Sequence, residues 1–342
     1  MITRADLARI PKVEFHRHLD GSIRFQTLLD LIKENKLPNS YSPDELFLKA
    51  RVTKPMKDLQ KVLDSFWISQ KVLCHYDAIK RVTFENIEDA YQDGIKLIEL
   101  RFAASFIAFG KKLNNDEIIE AVIDGVTEGM AKFPVQVGLI HILPRSLGEK
   151  ENIEAHQTIL KYKKSSHKNA ERLVGFDLAD GEIENDRAYL TQIEEAKKAG
   201  LGITIHSGEN TTHTCVMNSI NNLHAQRIGH GLKIWGHEEA IKLAKDRNIH
   251  FELCPTSNWL TNSVSSLKKH PFSALSKAGV SVSLNSDDPH LMGIDLLNEY
   301  RIVHEIFGWS QEDFFLMNKK AIEHSFLAKD IVADVKKKFF LN

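Results

Sequence analysis

Pro11-Lys-Val-Glu-Phe-His16-Arg-His18-Leu-Asp20-Gly21 opens as a short strand-like run, Lys12 to Phe15, and ends in two histidines one residue apart. Side chains on a strand alternate between faces, so His16 and His18 project the same way and can reach one cation. A lone His-x-His pair also has a bland reading, as hydrogen-bonded or surface imidazoles. Its weight depends on the rest of the chain. Beyond Lys12 to His16, β-rich runs recur at Lys96 to Phe102, Val135 to Leu143, Leu173 to Leu178, Gly202 to His206, Arg227 to His230, Ile249 to Leu253 and Val280 to Leu284. Segments of helical periodicity separate them, and strands alternating with helices build a parallel sheet. Eight such units within 342 residues predict an α/β fold, a (β/α)8 TIM barrel. Most runs are apolar throughout, which suits strands covered on both faces.

The intervening segments carry their own punctuation. Asn114 or Asn115 is placed to cap a helix whose Ile119, Val122, Val126 and Met130 line one face. Gly200 and Gly279 each stand within three residues of a strand, where a left-handed glycine ends a helix and lets the chain reverse. The interval from Arg24 to Ile95 is too long for one crossover helix, so extra helices are expected over the mouth after the first strand, with Phe66 and Trp67 among them. The tail from Lys329 to Lys338 alternates charged and apolar residues and reads as one more helix with a solvated face. No internal repeat, low-complexity tract or Pro/Ser-rich linker divides the chain, so residues 1–342 are expected to form one domain.

Composition narrows the classes of partner. A hydrophobic content of 42% with 27% charged residues describes a soluble globular chain with material for a sizeable core. A formal charge of -1 gives no global attraction to nucleic acid or to an anionic membrane, so neither is an expected partner, whereas small ligands are compatible. The opening residues lack a long apolar stretch, and no run of about 18 apolar residues occurs, which predicts a cytoplasmic protein. The cysteines, Cys74, Cys215 and Cys254, are widely spaced with no CxxC pair, as expected in a reducing compartment.

In a barrel of this kind the working residues sit at the carboxyl ends of the strands. The polar residues fall there. The first strand ends in His16 and His18, the fifth in His206-Ser-Gly-Glu209, the sixth in His230-Gly231, and the eighth runs into Asn285-Ser-Asp287-Asp288-Pro289. Three neutral imidazoles and one carboxylate suit a divalent transition ion, zinc most naturally, with room for a water. Taken singly, a histidine at a strand end is commonly a hydrogen-bonding residue, and Asp-Asp-Pro is commonly a turn or cap. Their joint placement at four strand ends argues for a site. The other histidines lack this placement, His290 alone lying near the mouth.

Absences narrow the chemistry further. There is no GxxxxGK[ST] loop, no GxGxxG after a strand, no HExxH and no GxSxG elbow, which disfavours P-loop, zincin and serine esterase chemistry. Cys254-Pro-Thr-Ser-Asn258 holds one thiol, so the HxE and PCxxC zinc site is missing too. The fourth strand ends in Phe176-Asp-Leu-Ala179 without a lysine, which favours one metal ion over a bridged pair.

These motifs, taken in order with Cys254-Pro-Thr-Ser-Asn258, resemble the adenosine deaminases of the metal-dependent amidohydrolase superfamily across nearly the whole chain. The resemblance implies hydrolytic deamination of adenosine and 2'-deoxyadenosine to their inosine forms with release of ammonia. It implies that His16, His18, His206 and Asp287 bind one zinc ion per chain, which makes hydroxide available at neutral pH. By the same resemblance His230 orients the attacking water as base or electrostatic stabiliser, Glu209 donates a proton to purine N1, and Asp288 hydrogen-bonds N7. Asp20 would accept from a ribose hydroxyl, and Phe66 would form part of an apolar lid or simply pack its helix. Asp20 favours a nucleoside, since adenine deaminases tend to carry Glu there and deaminases of methylated AMP tend to carry Asn. The family usually reads Leu-Ala-Gly-Asp-Glu after the fourth strand, whereas this chain has Leu178-Ala-Asp180-Gly181-Glu182. A glycine there lets a backbone N–H approach purine N3, a contact that would fall to Gly181. That inverted order keeps a related aminopurine in view as substrate: 6-amino-6-deoxyfutalosine, a 5'-modified adenosine, or adenine.

Overall fold

A computed structural model describes residues 2–56 and 59–341. Its eight strands are β1 (Lys12–His18), β2 (Ile95–Phe102), β3 (Gln136–Pro144), β4 (Leu173–Ala179), β5 (Gly202–Ser207), β6 (Arg227–His230), β7 (His250–Leu253) and β8 (Ser281–Leu284). They pair in sequence order, all parallel, as one eight-stranded sheet with helices between the strands. At the mouth the Asp287 amide donates to His16 O at 2.9 Å and the His18 amide to Asp287 O at 2.9 Å, which brings the β8 edge onto β1. The expected (β/α)8 barrel is therefore present, with β6 at its expected bounds and the other strands shifted by one or two residues. β1 runs on to His18 because Arg17 and His18 still pair with Leu100 and Arg101.

Helices Phe25–Glu34, Pro43–Lys49, Leu59–Gln70 and Tyr76–Gln92 fill the interval between β1 and β2, as its length demanded. Asn114 forms a capping box with Glu117 on helix Asn115–Lys132, satisfying N–H groups that would otherwise lack partners. The tail forms helix Lys329–Phe339, with Val335 buried.

Alternation along the strands sorts apolar side chains from charged ones. On β2, Ile98, Leu100 and Phe102 join the main apolar core with Ile79, Val82 and Val122 from the helices, while Glu99 and Arg101 turn to the barrel interior. β7 repeats this, with Phe251 and Leu253 outward and Glu252 inward. Burial of each such Leu, Ile or Phe contributes about 1.5–3 kcal/mol. A second apolar cluster, including Val13, Phe15, Leu97, Ile322 and Leu327, is built partly from β1 and β2. On β1 the register is irregular between Glu14 and Arg17. Such an irregularity re-aims side chains. Phe15 packs in this second cluster, yet His16, its neighbour, turns to the mouth together with His18.

Candidate active site

Five side chains from the ends of four strands meet at the mouth. His16 and His18 come from β1, His206 from β5, His230 from β6, and Asp287 follows β8. His16 Nε2 and His18 Nε2 are 3.3 Å apart, and each lies 3.2 Å from Asp287 Oδ1. Ligand atoms of His16, His206, His230 and Asp287 all lie within 4.8 Å of one another, and those of His18, Asp287 and Asp288 form an overlapping group. His230 thus stands as close to this centre as the histidines expected to bind metal.

Buried carboxylates behind the imidazoles set their orientation. His16 Nδ1 lies 3.0 Å from Glu252 Oε2, and His206 Nδ1 lies 3.1 Å from Asp177 Oδ1. Burial works against ionisation of both acids, but Arg101 with Arg227 holds Glu252 well below the usual range, and His206 with Arg101 does so for Asp177. An ionised carboxylate only accepts, so each imidazole carries its proton on Nδ1 and turns the Nε2 lone pair to the centre. Burial also depresses the pKa of His16 and His206, which keeps both rings neutral. Ser257 Oγ donates to Asp287 Oδ2 at 2.6 Å, leaving Oδ1 to face the histidines. Imidazole nitrogens and a carboxylate oxygen crowd to 3.2–3.3 Å here, with His16 Nε2 and Asp287 Oδ1 both turned to the centre as acceptors, and this set of ligand atoms fits a divalent cation.

The support continues down the lumen. Arg101 spans Asp177 at 2.7 Å and Glu252 at 2.6 Å, and Arg227 spans Glu252 at 2.8 Å and Glu99 at 2.6 Å. Two guanidiniums face three carboxylates, leaving one negative charge in excess below Asp287, which complements a doubly charged ion. Glu99 in turn accepts from Ser325 Oγ at 2.6 Å and the Phe326 amide at 2.7 Å.

Glu209 stands beside this centre. Its Oε1 accepts from Thr261 Oγ1 at 2.7 Å, Asn258 Nδ2 at 3.1 Å and Ser263 Oγ at 3.2 Å, while Oε2 lies 3.7 Å from His230 Nε2. The loop that carries it is gathered by Glu182, which accepts from the Gly208, Glu209, Asn210 and Thr211 amides at 2.9–3.2 Å. Asp288 is buried, and burial together with neighbouring Asp287 pushes its carboxyl pKa up. Its carboxyl lies against Gly21, where any Cβ would overlap it. His230 and Asp287 hold left-handed backbone, φ 63° and 61°, at a cost of about 1–3 kcal/mol each.

Two adjoining cavities open here. One of about 70 Å³ is lined by His18, His206, Glu209, His230, Asp287 and Asp288, with Phe66 and Asp180 at its edge. The other, of about 290 Å³, continues past Asp20 and Phe66 between Trp67, Phe106, Phe109 and Ile142. Trp67 packs on Phe106 with ring centroids 4.6 Å apart. Asp20 is buried and accepts from Gln70 Nε2. Asp180, with φ 73°, lines both cavities, whereas Gly181 is exposed and donates its N–H to Asp180 Oδ1 at 2.7 Å. His290 pairs with Asp89 at 3.0 Å and lines neither cavity.

Sequence reasoning passed over Asp177, Glu252, Arg101, Asn258 and Glu182. For the strand residues a signal existed: a charge inside a strand buried on both faces demands a partner, and β2 carries Glu99 and Arg101, β4 Asp177, β6 Arg227 and β7 Glu252.

Comparison with known proteins leads to the same place. Residues 11–339 match the family model described as adenosine deaminase. The adenosine deaminase of Clostridium botulinum (strain Okra / Type B1) is 35% identical over 324 residues, covering 94% of this chain and 95% of that protein. Among solved structures, adenine deaminase from Arthrobacter aurescens superposes with a TM-score of 0.85 at 22% identity, covering 96% of this chain and 98% of that one. An amidohydrolase from Burkholderia ambifaria with bound Zn gives 0.83 at 20% identity, covering 98% and 91%. At these identities the structural likeness carries the fold alone.

Proposed function

The chain belongs to the adenosine deaminase family, and from that membership and the site geometry we propose that it hydrolyses adenosine and 2'-deoxyadenosine to inosine and 2'-deoxyinosine, releasing ammonia. The whole chain acts as one hydrolase domain. His16, His18, His206 and Asp287 would hold one zinc ion, which supplies a water with a pKa of about 7 and hence a nucleophile at neutral pH. Zinc is the metal that three imidazoles and one carboxylate favour, and it is the metal bound in the structurally similar amidohydrolase from Burkholderia ambifaria.

The chain's own groups do the rest. Asp177 and Glu252 fix the tautomers of His206 and His16, and Ser257 aims Asp287. Glu209, with Oε1 occupied by three donors, presents Oε2 to the cavity, the oxygen from which a proton passes to purine N1 as water adds at C6. Asp288 hydrogen-bonds N7, Asp20 accepts from the ribose, and Phe66 closes the apolar side and excludes water. The carrying observation is the convergence of imidazole nitrogens on Asp287 Oδ1 beside Glu209 Oε2.

The 290 Å³ aromatic cavity past Asp20 favours a second reading, a related aminopurine bearing an apolar group, such as a 5'-modified adenosine. One experiment separates the two: ammonia release by metal-analysed protein from adenosine, 2'-deoxyadenosine, adenine, 5'-modified adenosines and 6-amino-6-deoxyfutalosine. Highest kcat/KM on adenosine supports the first reading and a preference for the 5'-modified compounds the second. Metal-replete protein that releases ammonia from none of them defeats both.

A further inference from the structure

We infer that Asn258 and His270 are positioning residues that form a one-directional hydrogen-bond relay, fixing the proton of His230 on Nε2 so that this ring meets the attacking oxygen as a donor. The inference deepens the deaminase reading and rests on it for its kinetic consequence, but the tautomer itself follows from geometry.

The relay starts at a group whose direction is never in doubt. The Phe272 backbone N–H can only donate, and it lies 3.1 Å from His270 Nδ1. That nitrogen must therefore be the acceptor. His270 is buried, and burial depresses its pKa to about 3, so the ring is neutral with a single proton, which stands on Nε2. His270 Nε2 is 3.1 Å from Asn258 Oδ1, so the Asn258 oxygen accepts and the orientation of the amide is set. The flipped amide would put NH2 against N–H.

With its oxygen engaged, Asn258 has two hydrogens left to give, and two acceptors wait for them. Nδ2 lies 3.1 Å from His230 Nδ1 and 3.1 Å from Glu209 Oε1. Asn258 is completely buried, so its two hydrogens are cut off from bulk solvent and depend on these partners. A nitrogen that accepts cannot carry a proton, so the N–H of the His230 ring stands on Nε2. That atom faces the cavity, 3.7 Å from Glu209 Oε2 and 4.0 Å from Asp287 Oδ2. An N–H there donates to the oxygen that attacks the purine and steadies the negative charge it carries. It has no lone pair with which to take a proton from that oxygen. Of the two roles open to His230, base or electrostatic stabiliser, the relay selects the second. The same amide marks Glu209 Oε1 as an acceptor, which leaves Oε2 as the oxygen that can hold a proton.

The test is tautomer assignment by two-bond ¹⁵N–¹H correlation on zinc-loaded protein with ¹⁵N-labelled histidine. Wild type is expected to show His230 with a protonated Nε2 and an unprotonated Nδ1. Asn258→Asp offers oxygens at both positions, so it should accept from His270 and pull the His230 proton to Nδ1. In that variant kcat should fall about 100-fold while KM changes by less than about threefold. His270→Gln keeps a donor at the start of the relay and should retain the Nε2–H signature. His270→Leu removes the donor and should show both tautomers. A wild-type ring protonated on Nδ1 overturns the inference, as does an Asn258→Asp protein with switched signature and undiminished kcat. The wild-type spectrum needs no variant to fold and no substrate. Absent ammonia release with the expected spectrum would sink the deaminase reading and leave the tautomer standing.

Discussion

The two walls of the mouth are built on opposite plans. The wall formed by the ends of β1, β5, β6 and β8 with helix Pro255–Leu260 is polar, and its buried side chains hold one another in place: Ser257 on Asp287, Asn258 on His230 and Glu209, Thr261 on Glu209. The facing wall, from helix Leu59–Gln70 and helix Ala104–Ala108 with the residues just beyond it, offers Phe66, Trp67, Phe106 and Phe109. Hydrogen bonds fix direction, whereas apolar contact fixes volume and tolerates small displacements. The first wall is thus built to aim protons and lone pairs, and the second to enclose. Damage to the first should lower kcat, and damage to the second should raise KM.

The largest effect belongs to the polar wall. His16→Ala or Asp287→Ala should lose bound metal and lower ammonia release by about 10³-fold, the rate equivalent of several kcal/mol of lost charge stabilisation. Glu209→Gln should cost about 10²–10⁴-fold in kcat with metal content unchanged. A fully active Glu209→Gln protein would erase the division of labour. Next comes the layer beneath. Glu252→Gln leaves Arg101 and Arg227 short of a charge partner, so urea unfolding should show a loss of about 3–5 kcal/mol, and metal affinity should fall about 10–100-fold.

Acid sharpens the contrast. Glu252 and Asp177 have depressed pKa values in the folded chain, so their contribution to stability is fully present above the unfolded carboxylate values of about 4 and is lost as pH falls below them. Metal release and unfolding should therefore rise together below about pH 4. In Glu252→Gln this acid dependence should be shallower. The smallest effects belong to the apolar wall: Trp67→Ala and Phe66→Ala should raise KM for adenosine about three- to tenfold with kcat nearly unchanged, read from initial rates. A tenfold loss in kcat at Trp67 would mean that this wall, too, aims the reaction.

Much of this was legible in the sequence for local reasons. The ends of the first, fifth and sixth strands were readable because their β-rich runs stop at His16, His206 and His230, and the eighth runs into Asn285-Ser-Asp287, so the candidate metal ligands stand at or just past those stops. The carboxylates Asp177 and Glu252 were harder, since their meaning lies in partners such as Arg101, 151 residues from Glu252. The inward turn of His16 beside an inward-packed Phe15 depends on a register irregularity that no local pattern announces. Asp180 shows the same limit: its left-handed backbone lines both cavities where the order Asp180-Gly181 pointed attention to the glycine.

The lumen network has a mechanical corollary. The Phe326 ring fills the space that side chains at Gly202 and Gly175 would take, and its amide secures Glu99, the last carboxylate in a line of ion pairs that ends at His16. The segment around Phe326 is thus a tether, joined through alternating charges to a ring a barrel's length away. Trimming the protein back past Ser325 would slacken an imidazole it never touches.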